Sequence, residues 1–505
     1  MTIKESKMNY NRLLYIFFLA LLLPALPSCK KSLDQKPPNG ILAGDYWKTK
    51  EQVRAAVIGC YGSLLGDPSG TDKPLSEVLF LWGELRADMI NPSLGITSQE
   101  QEIMNVNTVS TNTLINWRPV YRTINYCNTV IEFAPRAMET DKTFTREALD
   151  GYVAEAKALR ALMYFYLVRS FGDVPLKLTP TSNDDEIVAL AKSPQQDVLN
   201  QIITDLNEAE PKTALTYGDQ ASDKGRITRY TINAIQADVY LWMDKYNEAL
   251  AACDKIINSK RFGLVAASSA WFNTVYVTGN SNESIFEFQF DAQKLNTFYN
   301  MFAVGSKQFI AANRVMDLVY GTDDLGGTKD IRGDGASVRA SDGLIWKYSG
   351  KNGTDLMSAS DSHTHWFVYR YSDVLLMKAE ALAQLNRGQE ASDIVYTIRN
   401  RAGALPATDN HPDVTNKEEV ARFVLEERAR EFMFEGKRWY DVLRYVKRDN
   451  YAHIDYLLDM VSGIVAANMV HTTQNKLLDH NSHYFPIYYY ELQTNKSLVQ
   501  NPFYK

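Results

Sequence analysis

The chain has 505 residues, of which 45% are hydrophobic and 23% charged, the usage of a globular protein with a sizeable core. The formal net charge of −6, with both signs mixed along the chain, argues against a nucleic-acid partner. Four cysteines without a CxxC pair argue against a disulfide framework or a cysteine metal site. We therefore predict that Cys60, Cys127 and Cys253 are buried as small hydrophobic residues.

The N-terminal segment has the pattern of an exported, lipid-anchored protein. Residues 13–23 form an apolar run that follows a basic stretch and is too short for a bilayer, which needs about 20 apolar residues. The run leads to Leu26-Pro27-Ser28-Cys29, which resembles a bacterial lipobox, where the cysteine thiol accepts the lipid. We predict a signal peptide over residues 1–28, acylation of Cys29 and a polar tether over 29–44. The alternative is an ordinary secretory signal with an incidental cysteine.

Helical spacing of apolar residues dominates the N-terminal half of the chain. It predicts helices over residues 49–65, 114–133 and 146–170, the last of which ends at Gly172 ahead of Pro175. A further helix over 193–209 is predicted to have Ser193 as its N-cap and Pro194 at its first position.

Two segments, 231–259 and 371–399, have the pattern of tetratricopeptide helix pairs. In each, a short turn precedes a second helix that contains Ala249 or Ala391. These alanines are much farther apart than the roughly 34 residues of tandem repeats, so long insertions must separate the pairs. Within the insertions, 284–290 alternates like a strand, and 321–362 has the composition of a long, ligand-binding loop region.

Charged residues crowd one predicted helix near the C-terminus. They are Glu427, Arg428, Glu431, Glu435, Arg438 and Asp441. They could form a catalytic acid–base group, since two carboxylates across a cleft can hydrolyse a glycoside. The favoured interpretation is a buried ion-pair network, in which Arg438 and Arg444 supply cations to a helix that begins after Asn416.

Two other groups could bind a metal ion. His363 and His365 would lie on one face of a strand, but no cysteine or carboxylate pair accompanies them. Four aspartates among glycines lack the spacing of an EF-hand, which leaves calcium as a minor alternative: Asp323, Asp324, Asp330 and Asp334. No GxSxG, HExxH or dinucleotide-binding loop occurs. We predict no catalytic residues, no metal and no cofactor.

Five segments along the chain carry a family resemblance. They are residues 46–52, 154–175, 369–381, 427–444 and 485–502, and the clearest contains Phe434-Glu435-Gly436-Lys437-Arg438-Trp439-Tyr440-Asp441. Together they resemble the SusD/RagB family of surface lipoproteins from Bacteroidetes-type bacteria. The resemblance implies a mainly α-helical, SusD-like fold, with four degenerate tetratricopeptide helix pairs as scaffold and irregular, loop-rich insertions that bind ligand. It implies a body over residues 45–505, with an N-terminal part over about 45–260 and a C-terminal part over about 261–505.

The same resemblance implies a binding protein and not an enzyme, anchored to the outer membrane by its lipid and facing outward. Members of the family lie over a SusC-like TonB-dependent transporter and capture glycans for import. The expected partners are therefore such a transporter and an oligo- or polysaccharide. Two alternatives stay open: the same scaffold binding oligopeptides, as in RagB-like proteins, and, more remotely, a surface hydrolase.

Ligand contacts can be sought where aromatic and polar residues occur together in loop-rich stretches. Sugars present C–H faces that stack on aromatic rings, and hydroxyl groups that bond to polar side chains. The predicted ligand-binding residues are Trp82, Arg86, Asp88, Asn91, Trp271, Trp346 and Tyr348. For each aromatic residue, burial in the core is an equally good interpretation. Trp117 and Trp439 lie on helical faces and are predicted to be structural.

Overall fold

The computed structural model describes residues 46–66, 70, 72–183, 186–303, 305–321 and 329–505. The predicted signal peptide, Cys29 and the tether lie outside these residues, as do Asp323 and Asp324. Residues Thr49–Lys505 form one compact unit. The division of this unit near residue 260 stays a prediction.

Helices make up most of this unit, and the fold is mainly α as predicted. The N-terminal helices are α1 (Lys50–Gly62), α2 (Leu75–Glu84), α3 (Ser98–Met104), α4 (Arg118–Phe133), α5 (Ala137–Thr140), α6 (Arg146–Phe171), α7 (Gln195–Ala209), α8 (Gln220–Gly225), α9 (Arg229–Trp242) and α10 (Tyr246–Ser259). The C-terminal helices are α11 (Phe298–Phe302), α12 (Tyr371–Gln384), α13 (Gly388–Ala402), α14 (Lys417–Glu431), α15 (Arg438–Tyr451), α16 (Ile454–Ser462), α17 (Val470–Leu477) and α18 (Tyr489–Thr494).

Several helix boundaries follow capping residues that the sequence contains. The hydroxyl of Thr49 accepts a hydrogen bond from the backbone N–H of Gln52 at the start of α1. Gly172, with a φ of 72°, ends α6 in a conformation that costs glycine little. The start of α7 differs from the prediction, because Pro194 is the N-cap and Ser193 instead bridges to Val174.

The two predicted helix pairs are present as α9–α10 and α12–α13, each with its helices packed together, and their tetratricopeptide character stays a prediction. Their turns are alike, since Asp244 (φ 56°) and Asn386 (φ 58°) stand at the same distance before Ala249 and Ala391. Asp and Asn tolerate this left-handed conformation better than most residues. Helix α10 also packs against α12, and α4 and α7 both pack against α6. The count of four such pairs stays a prediction.

Within the described residues, three two-stranded antiparallel sheets accompany the helices. They pair β1 (Ile90–Pro92) with β3 (Phe309–Ala311), β2 (Ser284–Phe288) with β6 (Trp366–Arg370), and β4 (Val338–Arg339) with β5 (Leu344–Ile345). Strand β2 confirms the predicted strand, and its register places Ser284 beside Arg370. The predicted loop region 321–362 is irregular where it is described, apart from β4, β5 and one 3-10 turn. Strand β6 leads directly into α12, so this sheet fixes where that helix begins.

The cysteine and tryptophan side chains that were predicted to be structural lie in the core. Cys60, Cys127 and Cys253 are fully buried with free thiols, as predicted. Trp117 and Trp439 are buried as well, at 3% and 0% exposed. Within the described residues, no helix combines the length and the apolar character that crossing a membrane requires.

The two halves of the chain meet in a backbone contact between α2 and the turn that follows α14. A Cβ atom on Gly83 would lie 1.9 Å from the carbonyl oxygen of Gly436, so only glycine fits. Beside this contact, the backbone N–H of Gly436 donates to Oε1 of Glu84 over 2.9 Å. The side chain of Glu84 is fully buried. The contact therefore ties two segments that are distant in sequence.

Replacing Gly83 by alanine is expected to lower the free energy of unfolding by about 3 kcal/mol, because the added methyl group meets backbone atoms that cannot rotate away. The matched control is Gly59→Ala in α1, where nothing lies within 4 Å of the added Cβ. Helix propensity predicts a gain of about 1 kcal/mol for that control. Urea denaturation measures both variants, and equal stability of the two would contradict the contact.

Candidate functional site

Glu427 and Glu431 of α14, with Glu435 just after it, belong to a buried ion-pair network, as predicted. Glu427 and Glu431 share the guanidinium of Arg332, at 2.6 and 2.9 Å. Glu431 and Glu435 share that of Arg370, at 2.6 and 3.0 Å. The other members are Glu283, Asp330, Lys347, Arg399, Arg401 and Arg430. Each carboxylate of the network therefore meets at least one cation, which is the arrangement of a structural network.

Two cations predicted for this network do not contact the carboxylates of Glu427, Glu431 or Glu435. Arg438 forms a two-pronged pair with Asp88, at 2.8 and 3.1 Å. Arg444 contacts Glu380 at 2.7 Å and Asp441 at 2.9 Å, and Asp441 in turn pairs with Arg428 of α14 at 2.9 Å. The turn that contains Gly436 separates α15 from α14 and directs these side chains away from the α14 carboxylates. The cations of the network come instead from β6, from α13, from irregular segments between residues 329 and 347, and from Arg430 of α14 itself.

The network keeps its carboxylates ionised. Burial alone would raise the pKa of Glu427, but the guanidinium groups of Arg332, Arg430 and Arg399 lower it to about 2. The pKa of Glu431 is likewise held well below its usual range, because nearby arginines outweigh burial. A carboxyl group that donates a proton in glycoside hydrolysis needs the opposite, a raised pKa. The geometry therefore favours the structural interpretation of these residues.

Four of the predicted ligand-binding residues are core residues in this structure. Trp82 is fully buried, and its indole N–H donates to the carbonyl oxygen of Leu114 over 2.8 Å. Trp271, Trp346 and Tyr348 are at most 2% exposed. This corrects the prediction that these rings offer a stacking face, because none of them has a face open to a ligand. Burial of this kind depends on contacts between distant segments, which the local sequence does not show.

The other three predicted residues differ from one another. Arg86 is 3% exposed, and its guanidinium lies 4.2 and 3.9 Å from the ring centroids of Trp439 and Phe485, which makes it structural as well. Asn91 is half-buried in β1, and its contact with a ligand stays a prediction. Asp88 is 1% exposed but borders a cleft.

The cleft has a volume of about 480 Å³ and lies where the segment after α2 meets α14, α15 and α16. We name it the Asp88 cleft. It is lined by Asp88, Met89, Arg314, Leu318, Val319, Glu418, Glu419, Arg422, Glu426, Ala429, Arg430, Arg438, Tyr445, His453, Asp455, Tyr456, Asp459 and Met460. Its size is within the range of small-molecule binding sites.

The buried end of the Asp88 cleft is a fixed array of hydrogen-bonding groups. Asp88 accepts from Arg438 and, over 2.6 Å, from Nη1 of Arg314. Burial alone would raise the pKa of Asp88, but the charge of Arg438 and its hydrogen bonds lower it. Nη2 of Arg438 also donates to the hydroxyl of Tyr456 over 3.0 Å. These contacts hold the polar groups in place before any ligand arrives.

Aromatic rings form one side of the same cleft. Tyr445 of α15 stacks on His453 with a centroid distance of 5.0 Å and meets the ring of Tyr456 edge-on at 5.5 Å. The guanidinium of Arg422 lies 5.6 Å from the centroid of Tyr456. Tyr456, in α16, is half-buried, so part of its side chain is reachable from the solvent.

Charges around the Asp88 cleft are mixed, with an excess of negative ones. Its lining contains six carboxylates and four guanidinium groups. At the rim, Nε2 of His453 lies 2.7 Å from Oε2 of Glu418. The excess of negative charge disfavours an anionic ligand.

One group of three side chains within the described part of the chain has the types and spacing that could hold a metal ion: Glu418, Asp449 and His453. Nζ of Lys417 lies 3.4 and 3.3 Å from the two carboxylates, so one ammonium group already offsets half of their charge. His365, of the predicted histidine pair, contacts Glu287 at 2.5 Å, and Asp330 contacts Arg332 in the buried network. Neither His365 nor Asp330 belongs to the group of three residues that could hold a metal ion.

Comparisons with known proteins agree on one family. Two family models match the chain: one described as the SusD family, over residues 328–504, and one described as starch-binding and associating with the outer membrane, over residues 84–241. SusD-like protein P38 of Formosa agariphila is 27% identical, over 98% of this chain and 99% of its own length. The chain belongs to the SusD/RagB family.

Solved structures share the fold of this SusD/RagB protein. A SusD superfamily protein from Bacteroides vulgatus is 22% identical, with a TM-score of 0.72, over 91% of this chain and 100% of its own. A laminarin-binding SusD-like protein is 20% identical, with a TM-score of 0.67, over 90% of this chain and 100% of its own.

Most of the Asp88 cleft of this SusD/RagB protein was not predicted from the sequence. Arg314, His453 and Tyr456 come from segments without a recognisable motif, and they meet only in the folded chain. One signal was available: Glu418, Arg422 and Glu426 recur every four residues, which marks a second charged face on α14.

Neutralising Glu431 (Glu431→Gln) is expected to lower the free energy of unfolding by about 3–5 kcal/mol, because the buried cations around it lose their partner. The folded pKa of Glu431 lies below the ordinary value of 4.5. The contribution of Glu431 to the free energy of unfolding is therefore complete above about pH 4.5. It is lost as the pH falls through the pKa of Glu431 in the folded protein. Thermal unfolding between pH 7 and pH 2 should show the two proteins converging in acid.

The matched control for this experiment is Glu390→Gln, which breaks an exposed pair with Arg387. Exposed pairs contribute about 1 kcal/mol or less, so this variant should melt close to the wild type. A Glu431→Gln protein as stable as the control at pH 7 would contradict the structural role of the network.

Proposed function

We propose that this SusD/RagB protein captures neutral glycans at the outer membrane, binds them in the Asp88 cleft and passes them to a SusC-like TonB-dependent transporter. In this proposal Cys29 carries the lipid that anchors the body to the membrane, and the body faces outward. The role is one of binding, without chemical change to the glycan.

The comparisons support a glycan as the ligand. One of the two matching family models is described as starch-binding and associating with the outer membrane, and one structural neighbour is a laminarin-binding protein. Starch and laminarin are both uncharged polymers of glucose. This agreement favours a neutral glycan over the oligopeptide alternative.

The observation that carries the choice of site is the fixed array at the buried end of the Asp88 cleft. Arg314, which the buried Asp88 holds in place and whose side chain is 35% exposed, offers hydrogen bonds to sugar hydroxyls, and the half-buried ring of Tyr456 offers a face to a sugar ring. Because Asp88, Arg314 and Arg438 already hold one another, binding orders few additional side chains. The excess of carboxylates around the cleft favours uncharged sugars over acidic ones.

The same array supports a role without catalysis. Both carboxylate oxygens of Asp88 accept hydrogen bonds from guanidinium groups, and the pKa of this residue is lowered. A carboxyl group in that state is a poor proton donor at neutral pH.

Replacing Tyr456 by alanine is expected to weaken binding of laminarin or soluble starch by about 1–3 kcal/mol, as for other aromatic anchors of binding sites. Tyr456→Phe keeps the ring and removes the hydroxyl that accepts from Arg438, so a smaller loss is expected. Tyr126→Ala on α4 is the control, since Tyr126 is 37% exposed and does not line this cleft. Affinity electrophoresis in native gels measures all three. Retention of Tyr456→Ala equal to that of the control would contradict the site.

Replacing Cys29 by alanine is expected to release the protein from the membrane fraction, because a globular body without its acyl chains has little membrane affinity. Fractionation and acyl labelling measure this, and full membrane retention with full labelling would contradict the anchor.

The wild-type protein, purified from native membranes, is expected to bring a TonB-dependent barrel with it. Recovery without any large outer-membrane protein would contradict the transporter partnership.

A further inference from the structure

A second cleft, of about 460 Å³, shares no lining residue with the Asp88 cleft. It lies between the start of α18, the residues that precede α2 and the turn that leads into α4. We name it the tyrosine cleft. The residues of its lining that matter for ligand chemistry are Asp72, Asn116, Arg118, Tyr488, Tyr490 and Glu491.

The floor of the tyrosine cleft is apolar and anchored in the core. Val78, Leu81 and Leu114 line it and are 4%, 1% and 8% exposed. The backbone of Leu114 is held from below by the indole N–H of Trp82. A ring lying on this floor would therefore meet a preformed apolar surface.

The rim carries an aromatic ring that the fold leaves largely in water. Tyr490 of α18 is 54% exposed, and Tyr489, which precedes it in the chain and is 37% exposed, does not line the cleft. Tyr490 and its neighbour Tyr488 both line the cleft. Exposed aromatic surface costs about 25 cal/mol per Å² relative to burial, so adjacent open rings beside a cavity are typical of a binding surface.

Polar groups stand opposite these rings. The carboxylate of Asp72 is 6% exposed and pairs with Arg118 and, at 2.8 Å, with Arg122. This pairing holds the planar guanidinium of Arg118 at the rim, where its side chain is 57% exposed. Oδ1 of Asn116 accepts from the backbone N–H of Arg118 over 3.0 Å, which orients the amide group of Asn116 at the same rim.

We propose that the tyrosine cleft is a second saccharide-binding site, which takes neutral sugar units. Open tyrosine rings suit the C–H faces of a pyranose, and the fixed carboxylate, guanidinium and amide groups suit its hydroxyls. The charges of the lining balance, with Asp72 and Glu491 against Lys73 and Arg118, which favours an uncharged ligand. The choice of ligand class rests on the proposed function, whereas the site itself rests on residues that the Asp88 cleft does not use.

Two sites on one body change what the protein selects. A short oligosaccharide occupies one cleft at a time, whereas a polymer long enough to reach both binds the second in an intramolecular step. Long chains are then retained more strongly than short ones of the same composition.

Isothermal titration with a glucose hexasaccharide, from laminarin or from starch, counts the sites directly. The wild type is expected to bind two hexasaccharides per chain. Tyr490→Ala is expected to bind one and to lose affinity for the parent polymer by about tenfold or more. Tyr490 is more than half exposed, so its replacement is expected to leave thermal stability unchanged. Tyr490→Phe keeps the ring and is expected to bind two, and Tyr126→Ala is the exposed-tyrosine control.

The outcomes separate this inference from the proposed function. A stoichiometry that Tyr490→Ala leaves unchanged, whether the wild type binds one hexasaccharide or two, would overturn the tyrosine cleft and leave the Asp88 cleft standing. A stoichiometry that falls in Tyr490→Ala but not in Tyr456→Ala would support the tyrosine cleft and contradict the Asp88 cleft. No binding of either neutral glucan by the wild type would contradict both.

Discussion

Arg370 is fully buried among three carboxylates, and the C-terminal half of the structure is arranged around it. It contacts Glu283 at 2.7 Å, Glu431 at 2.6 Å and Glu435 at 3.0 Å. Removing such charges from water costs several kcal/mol for each ion, and only a complete set of partners offsets this cost. Arg370 is also the last residue of β6 and the N-cap of α12, so one side chain joins a sheet, a helix pair and α14. Few other positions of these elements would satisfy every charge, which favours a single arrangement.

The need to pair every buried charge of the network also determines the shape of the Asp88 cleft. Helix α14 presents Glu427 and Glu431 to the buried network, and the four-residue spacing of its exposed charges presents Arg422 and Glu426 to the cleft. A shift of α14 along its axis would break the buried pairs before it reshaped the cleft. The cleft therefore gains its rigidity from charges that, apart from Arg430, do not line it.

The sequence showed the scaffold better than the sites. Regular spacing identifies α6, the paired helices and the charged helix α14, because amphipathic periodicity and capping act over neighbouring residues. The buried network was expected from the spacing of its glutamates, but two of its cations, Arg332 and Lys347, come from segments between residues 329 and 347, which have no periodic signal. Trp82 illustrates the limit for the sites, since it lies directly beneath the floor of the tyrosine cleft and not in it. Whether an aromatic residue faces a ligand or supports the layer below depends on segments that come together only in the folded chain.

The buried carboxyl group of Glu84 makes the contact between the two halves of the chain depend on pH. Burial raises the pKa of this carboxyl group to about 8, although the N–H of Gly436 opposes the shift. The group is therefore mostly protonated in the folded protein at neutral pH, whereas in the unfolded chain it ionises near its ordinary value of 4.5. Between these two values the folded state binds one more proton than the unfolded state, and its stability falls as the pH rises. The contact between Glu84 and Gly436 therefore takes up a proton from the medium when the chain folds, and it contributes most to stability at mildly acidic pH.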